Sequence, residues 1–163
     1  MEQKDYLDVL KNKSLFKGLT EGKIADLFMS GIVRQYKAGE IIYLQNESCT
    51  SFDIILAGNI SIEHITSDGK VLTLVHLGVG ESFGGNLVFA HDSFYPMTVK
   101  ANDDCRLLHL SKELIIEQCQ TNEDFLIEFI RSLSHKTMVV ADKFTTLTMK
   151  DIRGKLINYL HSE

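Results

Sequence analysis

The chain lacks what would place it in a membrane, on a secretory route or on a nucleic acid. No apolar run in its 163 residues approaches the ~18–20 that span a bilayer. The N-terminus, "MEQKDYLDVLKNK", is charged and has no apolar core of the kind a secretion signal needs. The expectation is a cytoplasmic protein with no membrane partner. Three cysteines, Cys49, Cys105 and Cys119, are odd in number and widely spaced. That excludes a disulfide framework and CxxC metal or redox chemistry, and leaves reduced, structural thiols. A net charge of −5 offers no overall basic face to a nucleic acid.

Catalytic and metal signatures are missing as well. The segment "GVGESFGG" puts Phe83 where a GxGxxG loop needs its third glycine, and no βαβ pattern surrounds it. No GK[ST] follows, so it is not a P-loop, and no GxSxG elbow occurs. The six histidines form no HxH and no paired spacing, which speaks against a barrel-bound metal of the cupin type. His64, His76 and His109 fall in strand-like runs, so one of them could face inward. No enzyme, no metal and no cofactor is expected.

What is present changes period twice. Residues 5–31 are helical, with Tyr6, Leu7 and Leu10 and then Ile24, Leu27 and Phe28 at helical spacing. Thr20 is the expected N-cap and Gly31 the expected stop. From Ile32 to about Leu110 short runs rich in Val, Ile, Leu, Tyr and Thr alternate with turn residues. Asp68-Gly69 between "SIEHIT" and "KVLTLV" is a hairpin signal. Seven or eight such strands predict an antiparallel barrel or double sheet.

After Ser111, an expected N-cap, the pattern is helical again. Asn122 is placed to cap a long helix in which Leu126, Ile130, Leu133, Thr137, Val140, Phe144 and Leu147 recur at spacings of four and three. That is a heptad register, and it predicts a homodimer through this helix. Phe125 and Phe129 form a second apolar stripe beside it, able to pack on the barrel. "KDIRGKLINYLHSE" reads as a last amphipathic helix, with Thr148 as cap.

This order of elements, with "VHLGVGESFGGNLVF", "YPMTVKA" and "MKDIRGKLINYL" as its carriers, resembles the cAMP receptor protein/FNR family of bacterial transcription regulators over nearly the whole chain. The resemblance implies a mainly β fold with flanking helices: an eight-stranded antiparallel β-roll or jelly-roll of the cyclic-nucleotide-binding type, followed by a long dimerisation helix. It divides the chain into an effector-binding roll with its N-terminal helices (residues 1–121), the dimerisation helix (122–147) and the first helix of a winged helix-turn-helix (148–163). Since no recognition helix follows in these residues, the expectation is a fragment that senses and dimerises, with DNA bound only through a C-terminal domain not included.

In that family a phosphate-binding cassette like FGE(L) is followed about ten residues later by R-[ST]-A. Backbone N–H groups and an arginine hold the cyclic phosphate, and a glutamate accepts from the ribose. Here Gly85 takes the glutamate position, Tyr95 the arginine position and Pro96 that of the hydroxyl. The helix residues expected to cap the base fall near Val140 and Ala141. All the polar groups are replaced together, so the resemblance implies the same pocket with a small-molecule effector other than cAMP. The candidate contacts are Phe83, Gly84, Gly85, Asn86, Leu87, Tyr95, Pro96, Met97, Val140 and Phe144, with Val88 and Phe89 as further apolar lining and His91 and Lys100 as minor polar candidates. Two alternatives stand beside this: a ligand-binding module that acts through protein contacts without DNA, and a haem-based sensor of the same family. An FNR-like iron–sulfur cluster would need cysteines near the N-terminus, and the first is Cys49.

Overall fold

The computed structural model describes residues 3–66 and 68–138. The N-terminal part forms two helices, α1 (Gln3–Lys11) and α2 (Glu21–Ser30), joined through a 3-10 turn at Ser14–Phe16. Thr20 caps α2, its hydroxyl accepting from the Lys23 amide at 3.4 Å. Gly31 ends α2 for a different reason from the one expected. Its φ is −83°, not left-handed, and any side chain there would meet two distant leucines: a Cβ would lie 2.6 Å from Leu108 Cδ1 and 2.8 Å from Leu110 Cδ2. Close packing of the helix end on the sheet is what demands glycine.

Eight strands follow: β1 (Ile32–Tyr36), β2 (Ile41–Tyr43), β3 (Ser51–Ala57), β4 (Ile60–Ile65), β5 (Val71–Leu77), β6 (Ser82–Phe83), β7 (Thr98–Ala101) and β8 (Cys105–Ser111). They pair antiparallel in two four-stranded sheets, ordered β1-β8-β3-β6 and β2-β7-β4-β5. Residues from both sheets, among them Ile55, Cys105 and Leu107 of the first and Ile42, Ile60 and Val99 of the second, form one buried cluster. The two sheets therefore enclose a common interior. β4 and β5 turn at the expected place, with Gly69 at φ +80° and Ile65 opposite Val71.

Strand β3 is buried on both faces, which is why "SFDIILA" reads as a nearly unbroken apolar run rather than an alternation. Ser51, Asp53 and Ile55 share the parity that faces the roll interior, and Phe52, Ile54 and Leu56 the opposite one. Helix α3 (Lys112–Thr121) packs on β3 and β8. Its cap is Ser111, which accepts from the Leu114 amide at 3.3 Å.

A further helix, α4, begins at residue 123 and is described to 138. Asn122 caps it, its side-chain oxygen accepting from the Phe125 amide at 3.0 Å. Phe125 is fully buried and its ring meets Phe16 with centroids 6.2 Å apart. The chain divides into compact units at Met1–Glu128 and Phe129–Glu163. Among the described residues, no helix is long and apolar enough to cross a membrane, and no three His, Cys, Asp or Glu side chains gather as a metal site. All three cysteines are free.

Candidate functional site

The glycine-rich segment is tied to the roll by its own backbone before any ligand is considered. β6, hidden from sequence reading because two residues show no alternation, pairs Phe83 with Asp53 and Ser82 with Ile54 of β3. The chain then turns at Gly84, whose carbonyl accepts from the amides of Leu87 and Val88 at 2.9 Å each. Gly84 has φ +79°, and a Cβ there would lie 2.6 Å from the Ser51 carbonyl oxygen. Its close approach is thus to strand β3. Further on, the Cys49 amide donates to Ser93 O (2.7 Å), and Tyr95 exchanges bonds with Glu47 O and the Asn46 amide (2.8 Å each). These bonds deliver Tyr95 into the interior.

Tyr95 is 2% exposed. Its ring stacks on Tyr43 with centroids 4.2 Å apart and planes 14° apart, and Phe83 meets Tyr43 edge-on at 6.3 Å. Of the expected effector contacts, Phe83, Gly84, Gly85 and Tyr95 are buried, Leu87 and Met97 half-buried, and Asn86 and Pro96 exposed. Val88 joins Phe83 and Tyr95 in the interior cluster, with Leu87 packed against it. Phe89 lies outside, under the Lys112 ammonium at 5.5 Å, a cation–π contact that fastens the turn to α3. His91 is exposed beside Asp92, and Lys100 is half-buried. Of the heptad positions, Leu126 and Leu133 are half-buried and Ile130 and Thr137 exposed. Val140, Phe144 and Leu147 lie outside the described residues.

The interior also holds a polar group that sequence reading passed over. Asp53, with no exposed surface, sits opposite His109 in the β3–β8 register. Its Oδ1 accepts from Ser51 Oγ at 2.6 Å and from His109 Nδ1 at 2.8 Å. The Tyr43 hydroxyl lies 3.3 Å from Ser51 Oγ and 3.1 Å from His109 Nδ1, and the Tyr36 hydroxyl 3.3 Å from His109 Nε2. Both imidazole nitrogens of this inward-facing histidine are therefore engaged within the protein. His64 is half-buried and His76 exposed. The available signal for Asp53 was a carboxylate in the middle of an apolar strand, which must find hydrogen-bond partners when buried.

Burial, and next the negative charge of Asp53, push the Tyr43 and Tyr95 phenols well above the ordinary range. Burial also raises the Cys49 thiol and lifts Cys105 to about 11. These shifts set an alkaline limit on stability. Each group is held protonated in the fold but ionises near its ordinary value in the unfolded chain, so the unfolded state binds fewer protons as pH rises. Stability should stay level to about pH 9 and then fall by about 1.4 kcal/mol per pH unit for each group ionised only when unfolded. Urea midpoints measured between about pH 7 and 11 check this; a level profile throughout would contradict it.

The model of the family described as the cyclic nucleotide-binding domain matches residues 33–122. The chain is 21% identical over 155 residues to the cAMP-activated global transcriptional regulator CRP of Haemophilus influenzae, covering 94% of this chain and 69% of that protein. It is 25% identical over 132 residues to the HTH-type transcriptional regulator ArcR of Staphylococcus aureus, covering 78% and 54%. Among solved structures, the sensor domain of the transcriptional regulator DNR from Pseudomonas aeruginosa superposes with a TM-score of 0.73 at 21% identity, over 86% of this chain and 93% of that one. The catabolite activator protein of Thermus thermophilus gives 0.73 at 20% identity, over 83% and 63%. The chain thus spans about half to two thirds of the length of the curated relatives it matches.

Proposed function

Because the chain belongs to the cyclic nucleotide-binding domain family, we propose that it is the sensor and dimerisation region of a CRP/FNR-type transcription regulator that answers to a small effector other than cAMP. Residues 1–121 hold the effector, residues 122–147 pair with a second copy, and residues 148–163 supply the first helix of a winged helix-turn-helix that contacts DNA. The relatives are transcription regulators, and no enzymatic role belongs to this reading.

One observation carries the effector part. Tyr95 stands where the resemblance places the phosphate-holding arginine, and it is buried and stacked on Tyr43. Gly85, at the glutamate position, is buried too. An interior lined by Tyr43, Phe83, Tyr95 and Val88 suits a compact, largely apolar effector better than a cyclic phosphate. The effector acts by shifting the population of regulator states.

Dimerisation is tested on the seam. Ile130 is 50% exposed on α4, at a heptad position that a partner helix would cover. Covering its exposed half contributes about 0.75–1.5 kcal/mol per copy, so Ile130→Glu or Phe144→Glu should weaken the dimer by at least about tenfold. Sedimentation velocity at micromolar concentration reads the change. A wild-type monomer indifferent to either substitution would remove the dimer from this proposal.

A further inference from the structure

We propose that the roll interior beside Tyr43 recognises a hydrogen-bond donor on its effector, a hydroxyl, amine or amidine carried by a flat ring, with Asp53 Oδ2 as the acceptor and the Tyr95 hydroxyl as the second polar contact. This deepens the sensor reading above and rests on it in taking the interior as the effector's place.

Among the described residues, two buried side-chain atoms are without hydrogen-bond partners, Asp53 Oδ2 and Tyr95 Oη. Asp53 has no exposed surface and Tyr95 is 2% exposed, so bulk water does not satisfy them. The rest of the cluster is committed. Oδ1 of Asp53 is taken by Ser51 and His109, and His109 is held at its far nitrogen by Tyr36. The Cys49 thiol, beside the Tyr95 hydroxyl, donates to the carbonyls of Ser51 and Gly84. Tyr43 joins the two open atoms: its ring stacks on Tyr95, and its hydroxyl bonds to both groups that hold Asp53.

The chemistry of the open atoms selects the ligand class. An ionised carboxylate only accepts hydrogen bonds, whereas a phenol can donate or accept. A ligand with an N–H or O–H would fill Oδ2 and could accept from Tyr95. An anion would bring a second negative charge against Asp53 in a medium that screens it poorly. The aromatic surroundings of Tyr43, Phe83 and Tyr95 suit a flat ring better than a charged, non-aromatic group. Leaving a buried acceptor open is costly, and this is the origin of strong discrimination in sites built to hydrogen-bond their ligand.

The test uses three ring probes of similar size on the whole chain: benzamidine, resorcinol and benzoate, with binding measured by calorimetry and tyrosine side-chain NMR. The expected result is that benzamidine and resorcinol bind at least about tenfold tighter than benzoate. Asp53→Asn should abolish or reverse that preference. Tyr95→Phe, which keeps the ring and its stacking and so protects against loss of folding, should weaken both donor probes about tenfold. Equal binding of benzoate, donor binding indifferent to Tyr95→Phe, or no binding by any probe overturns the inference; the last is the pattern an ordered water between the two atoms would give. A cAMP titration run alongside separates this from the sensor reading. Tight cAMP binding defeats that reading whatever the probes do, while silent cAMP with no donor preference defeats this inference alone.

Discussion

Replacing Phe52 by alanine is expected to remove about 3–5 kcal/mol of stability, while Phe94→Ala should change it by no more than about 0.5 kcal/mol. Phe52 is fully buried on β3, opposite Leu110 of β8, and β3 lies between β8 and β6 in its sheet. Its ring is on the face opposite Asp53, so removing it opens a cavity without touching the polar cluster. Neighbouring strands hydrogen-bonded on both sides limit how far the site can collapse, which favours the upper part of that range. Phe94 is half-exposed and joins Ser48 only by an isolated bridge. A domain of this size commonly has about 5–15 kcal/mol to lose, so Phe52→Ala removes a large share. Urea unfolding reads it as a lowered midpoint at unchanged slope. Equal effects of the two substitutions would mean that the outer face of β3 is not the core described.

Most strands were legible because their signal is local. Runs such as "CRLLHL" and "NISIEHIT" carry β-rich composition between turn residues, and Thr20, Ser111 and Asn122 announce helix starts through the hydroxyl or amide that each places on an amide three residues on. β6 was not legible, since a two-residue strand exists only through its partner β3. Gly31 was placed correctly and explained wrongly: its constraint comes from Leu108 and Leu110, far away in sequence. Gly84, a candidate effector contact, makes room for the Ser51 carbonyl of β3, a neighbour that no local pattern names.

The candidate site was legible only as a list of residue types. Tyr95 at the arginine position could be read from the chain, but not that it stacks on Tyr43, because that contact joins β2 to the end of the glycine-rich segment. The Asp53–His109 pair depends on β3–β8 register across 56 positions. A one-residue slip of either strand would turn its own side chain to the opposite face and part the pair, and no local pattern sets that register. Expectations at Val140, Phe144 and Leu147 remain with the sequence.

The largest functional effect expected is the loss of cyclic-nucleotide affinity. A site that holds a cyclic phosphate needs directed positive charge, and each charge-assisted hydrogen bond contributes about 1.5–3 kcal/mol. Removing two such contacts, with Tyr95 and Gly85 in place of arginine and glutamate, costs about 3–6 kcal/mol, or roughly 10²–10⁴-fold in affinity. Asp53 adds to the penalty, because a phosphate entering this interior would meet a buried carboxyl oxygen that lacks a donor and would offer it none. Isothermal titration of the whole chain with cAMP, and with cGMP beside it, tests the central claim most directly. No saturable binding is expected at micromolar nucleotide; a sub-micromolar dissociation constant for either would mean that the site still holds a cyclic phosphate.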